Sequence, residues 1–82
     1  MNKLLIEVYV PAIGDTFDVS IPDNAMVFEL LPLITTAVTR LADGLFISND
    51  AVLCDGNTGV IHSYDMDVND MQLKNGSRLM LI

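Results

Sequence analysis

The residues of this chain that could do chemistry gather in its second half. Asp65, Asp67, Asn69 and Asp70 repeat the opening of a calcium-binding loop. Such a loop needs Gly at its sixth position and a bidentate Glu at its twelfth. Counted from Asp65, those positions hold Asp70 and Gly76. The pattern fails, so Met66 and Val68 read as core anchors between solvated carboxylates, and no metal is expected. His62 is the one histidine, with no Ser or Cys at a spacing that suggests a dyad. It reads as a solvated side chain in a polar turn. Cys54 falls at an apolar strand position and reads as a small core hydrophobe. Asp55-Gly56-Asn57-Thr58-Gly59 has two glycines but no Lys and no following helix, so it is no phosphate cradle. No nucleophile, base and stabiliser converge. The expectation is a protein that is not an enzyme and needs no cofactor.

Charge narrows the partners. Eleven carboxylates against four cations leave a net charge of −7, with no Lys/Arg cluster. Nucleic-acid phosphates and anionic lipid surfaces are repelled by such a chain. A single cysteine cannot form an internal disulfide, which fits a reducing compartment. The first residues carry one Lys and an apolar run broken by Glu7 and Pro11, which is not a signal peptide. No run reaches the roughly 18 apolar residues of a membrane span. The expected place is the cytoplasm, without membrane insertion. Eighty-two residues read as one domain, 1–82, that buries only about 60–65% of its unfolded surface. Apolar residues make up 51% of the chain and the mean hydropathy is +0.45. That surplus implies an apolar surface for a partner or for a second copy.

The elements that position these residues follow from periodicity. Lys3 to Val10 alternates, with Leu4, Ile6, Val8 and Val10 facing in and Leu5, Glu7 and Tyr9 facing out. Gly14-Asp15 is the tight point of a turn, and Thr16 to Ile21 alternates again, with Phe17, Val19 and Ile21 facing in. This is a β-hairpin. Asp23 or Asn24 is expected to cap a helix whose apolar stripe is Val27, Leu30, Leu31, Ile34, Ala37, Val38 and Leu41. Gly44 is expected at C′. Pro32 removes a helical hydrogen bond, so either the helix kinks there or its first turn is irregular. Phe46 and Ile47 anchor a loop, Ala51 to Cys54 is a short strand, and Val60-Ile61 is a brief fifth one. Asn75-Gly76 makes a tight positive-φ turn. Arg78 to Ile82 is then an alternating strand, Leu79 and Leu81 facing one way and Met80 and Ile82 the other. A strand with nothing after it needs neighbours on both sides, so it is placed centrally. A hairpin, one helix and a central closing strand parallel to the first make an α+β fold, the β-grasp, with four to five strands in a mixed sheet and one helix packed across it.

Several stretches resemble the ubiquitin-like superfamily. Val68-Asn69-Asp70-Met71-Gln72-Leu73-Lys74-Asn75-Gly76-Ser77-Arg78-Leu79 resembles the signature that precedes its last strand. Val52-Leu53-Cys54-Asp55-Gly56 resembles its third strand and the turn that follows. Val19-Ser20-Ile21-Pro22 with Val27-Phe28-Glu29-Leu30-Leu31-Pro32 is similar to the YukD/EsaB proteins of bacterial type VII secretion, and especially to the ubiquitin-like domain that opens the membrane component EccD. A Pro in that helix is usual there. The resemblance implies a non-conjugating interaction module, an accessory or regulatory component of the secretion system. Its expected partner is a membrane component of the machinery or a second copy of itself. The alternative, a β-grasp protein modifier or sulfur-carrier relative, is disfavoured because the sequence reads to Ile82 without a Gly-Gly tail.

These strand phases put Leu5, Leu53, Met80 and Ile82 on the face of the sheet away from the helix. Tyr9 is expected at the edge of this patch and Arg78 beside it. Ubiquitin uses the matching face for its partners, so these six residues are the expected protein-interaction site. The off-stripe helix residues Met26, Phe28 and Leu33 form a second candidate surface.

Overall fold

The computed structural model describes residues 2–44 and 51–82. The expected loop anchors Phe46 and Ile47 lie outside the described residues. Strand β1 (Lys3–Val10) pairs antiparallel with β2 (Asp15–Pro22), in register from Val10 opposite Asp15 to Lys3 opposite Pro22. Ile6, Val8, Val10, Val19 and Ile21 are buried, as the alternation demands. Gly14 turns the chain at φ +65° and donates its N–H to the Val10 carbonyl at 2.9 Å.

Helix α1 spans Val27–Leu41 and buries Val27, Leu30, Ile34 and Val38. Neither Asp23 nor Asn24 caps it; the N-cap is Met26. The reason is tertiary. The N–H groups of Val27 and Phe28 donate to the carbonyls of Met66 and Tyr64, at 2.8 and 3.2 Å. Glu29 Oε1 accepts from the Met26 N–H at 3.1 Å. A distant loop thus satisfies donors that a side-chain cap normally serves. At the other end Asp43, not Gly44, is the C′ residue, at φ +53°. Its N–H bonds the Arg40 carbonyl at 3.2 Å, and the Gly44 N–H bonds that of Thr39 at 2.8 Å. This is a Schellman motif shifted by one residue from the expected place. Leu41, expected in the buried stripe, is 54% exposed, and Ala42 takes the buried position. Pro32 lies within one continuous helix. The Phe28 carbonyl it cannot serve belongs to an exposed residue, where water can bond it.

Strand β4 (Arg78–Leu81) runs parallel to β1 and antiparallel to β3 (Leu53–Asp55). The sheet order is β2-β1-β4-β3, so the closing strand is internal. Its Leu79 and Leu81 are fully buried in the core beneath the helix. Strand β3 begins two residues later and ends one residue later than the expected Ala51 to Cys54, although Val52 and Ile82 still exchange backbone hydrogen bonds of 2.7 and 3.0 Å beside it. The expected fifth strand is a bridge of Ile61 to Cys54. It is held by Asp55 N–H to the Val60 carbonyl at 2.8 Å and His62 N–H to the Leu53 carbonyl at 2.9 Å. It lines the outer edge of β3.

The segment leading into β4 is tied from within. Asp67 Oδ1 accepts from the Asp70 N–H at 2.7 Å, and Asp70 Oδ2 accepts from the Asp67 N–H at 3.1 Å. These carboxylates serve backbone donors, while Val68 and Met71 are buried. Ser77 N–H bonds the Lys74 carbonyl at 3.0 Å and Gly76 sits at φ +86°, a type II turn with Gly at the position that requires positive φ.

Candidate interaction face

Side chains on the sheet surface away from the helix are fixed by register. Tyr9 stands beside Met80 across the β1–β4 pair, and Met80 stands opposite Cys54 across β4–β3. Thr16 continues the row on β2, and Ile61 ends it at the far edge. Tyr9 is 37% exposed and Ile61 is 62% exposed, with Met80 half-buried between them. Ile82, 50% exposed, extends the surface one pleat along β4, next to half-buried Val52.

Leu53 does not belong to this surface. It pairs with Leu81 and is 1% exposed, inside the core. Cys54 takes the outer position instead. The phase of β3 was off by one residue, and such a slip moves every side chain to the other face. Three residues of strand are too few for alternation to set the phase. Burial pushes the Cys54 thiol pKa up, which makes it a packed neutral group and a poor nucleophile.

A charged row crosses the apolar surface. Asp18, Glu7 and Arg78 are neighbours on β2, β1 and β4. Two carboxylates directly opposite one another repel, and Arg78 offsets this with Nη2 at 3.2 Å and Nε at 3.3 Å from Glu7 Oε2. Leu5, 54% exposed, lies beyond this row and apart from Tyr9, Met80 and Ile82. The six expected residues are therefore divided: three together, Leu5 separated, Arg78 between them, and Leu53 inside. Val52 and Ile61 belong to this surface without having been expected there, while Cys54, in the same row, is fully buried. The 60–61 stretch is too short to show a period, and only the tertiary bridge brings it to the sheet.

Around the β3 turn, Asp55 Oδ1 accepts from the N–H groups of Thr58 at 2.9 Å and Asn57 at 2.8 Å. These bonds hold its carboxyl below the usual carboxylate range, Thr58 contributing most, with a further small lowering from the charge of His62. His62 is half-buried, not solvated as expected, and its Nε2 is buried with no hydrogen-bond partner among the described residues. On the helix, Phe28 and Leu33 are 57% and 51% exposed, and Met26 is half-buried.

Comparison with solved structures finds the same fold elsewhere. The ubiquitin-like domain of the Mycobacterium tuberculosis type VII secretion system protein ECCD1 matches with a TM-score of 0.77 at 12% identity, covering 100% of this chain and 99% of that one. The fold is the ubiquitin-like β-grasp. A chain of the MycP5-free ESX-5 inner membrane complex contains the same β-grasp, with a TM-score of 0.72 at 17% identity, covering 100% of this chain and 21% of that chain. So does a chain of the toluene 4-monooxygenase HD complex with an inhibitor, with a TM-score of 0.75 at 7% identity and coverage of 98% and 96%. No family model and no curated protein matches the sequence. Among the described residues of this β-grasp, no helix is long and apolar enough to cross a membrane.

Proposed function

We propose that this β-grasp chain works by binding another protein, as an accessory or regulatory component of a bacterial type VII secretion system acting at the cytoplasmic side. The observation that carries the reading is the outer sheet face. Tyr9, Met80, Ile82 and Ile61 form a partly exposed apolar surface on the side that α1 leaves uncovered. Exposed apolar groups gathered on one face are the usual mark of a docking surface. The secretion-system link is supported by the fold shared with ECCD1 and with a chain of the ESX-5 inner membrane complex. The partner is a membrane component of that machinery or a second copy of this chain.

The test is pairwise affinity capture against the secretion components of the same cell, with self-association read by light scattering. Met80→Asp should keep the native circular dichroism and lose the contact. Phe28→Asp, on the helix, should keep both. Loss of the contact in Phe28→Asp with retention in Met80→Asp would overturn the assignment to the sheet face.

A further inference from the structure

The Asn75-Gly76 corner holds a reactive pair in a restrained geometry. Gly following Asn leaves the amide nitrogen unhindered, so that nitrogen can attack the side-chain carbonyl carbon. Both groups are tied to one residue of β1. The Leu5 N–H donates to Asn75 Oδ1 at 2.8 Å. The Gly76 N–H donates to the Leu5 carbonyl at 2.8 Å. Asn75 and Gly76 are themselves exposed to water.

We propose that Asn75 is a spontaneous deamidation site whose rate is gated by separation of Leu5 on β1 from the 75–76 turn. The Gly76 nitrogen gives up its proton to water and bonds to Asn75 Cγ. The Cγ–Nδ2 bond breaks and ammonia leaves with the proton. Water then opens the cyclic imide at either carbonyl, giving aspartate or isoaspartate. No oxidant or reductant is involved, and water is the only co-reactant. In the closed state the nitrogen's proton is engaged by Leu5 and the amide oxygen is held away from free rotation. The reaction therefore proceeds from the locally opened state, and its rate scales with that state's population. The product places a new carboxylate against a concavity already lined by Leu5, Glu7 and Asp18. The isoaspartate form also lengthens the main chain at the point where the turn joins β1.

The intact chain is incubated in mildly alkaline buffer, folded and in urea, and followed by intact mass and peptide mapping. The folded protein should deamidate at Asn75 at least about tenfold more slowly than the unfolded one. Leu79→Ala, which loosens β4 without touching the turn, should raise the folded-state rate in proportion to the faster hydrogen exchange of the Gly76 amide. Asn75→Gln should remove the product peptide. Equal rates in folded and unfolded protein, or a Leu79→Ala rate that does not follow Gly76 exchange, would overturn the gating. Absence of the product in urea would overturn the site.

Discussion

Arg78 of β4 lies along the sheet surface with its side chain against Gly56 and its guanidinium on Glu7 of β1, 3.2 Å from Oε2. The ion pair is half-exposed, so it contributes no more than about 1 kcal/mol. Its weight is positional. It fixes the charged row that separates Leu5 from the Tyr9–Met80–Ile82 surface, and it depends on a glycine, Gly56, that directly follows β3 as the first residue of the turn.

Gly56→Ala should expose that dependence. A Cβ at Gly56 would overlap Arg78 Cγ and stand 2.8 Å from the Arg78 carbonyl carbon and oxygen. The expected cost is about 1–3 kcal/mol, as for other overpacking changes, read as a lower urea midpoint. In an Arg78→Ala background the cost should shrink without vanishing, because the backbone clash remains. An unchanged midpoint in Gly56→Ala would mean that Arg78 does not lie against this turn.

Asp55 gives a pH signature. Its carboxyl is held below the usual range by the Thr58 and Asn57 N–H groups. A group with a depressed folded pKa stabilises the fold fully above its unfolded value and loses that contribution as pH falls through the folded value. Stability from this turn should thus be intact at neutral pH and decline below about pH 4. The difference in urea midpoint between the native chain and Asp55→Ala should narrow over that acid window. A difference independent of pH would show that the carboxylate charge is not what the turn uses.

Leu53 and Met80 separate core from surface on adjacent strands. Leu53→Ala should cost about 2–5 kcal/mol, the range for emptying a fully buried leucine site. Met80→Ala, half-buried on the other face, should cost distinctly less. Thermal melts of the two variants distinguish them. A Leu53 change as mild as the Met80 change would restore Leu53 to the outer face.

The hairpin, the helix and the inward set of the closing strand were legible in the chain itself. Each is long or regular enough for its period to name one face: Ile6, Val8 and Val10 at every second residue, and Leu30, Ile34 and Val38 at every fourth. Asn75-Gly76 likewise announced its turn, because few residue pairs accept that geometry. The central place of β4, parallel beside β1, was also expected; that β3 is its other neighbour is seen only in the fold. What local pattern did not hold was the phase of β3, with three residues in its strand, or the bridge at Ile61, with one. Their side chains are sorted by whom they pair with, Leu53 with Leu81 and Cys54 with Met80 and Ile61. The start of α1 was decided the same way, by the carbonyls of Met66 and Tyr64 reaching across from a segment some forty residues on. Long periodic elements carry their own orientation because burial must be satisfied along their whole length. Short segments and helix ends take theirs from hydrogen-bond partners that only the folded chain brings near.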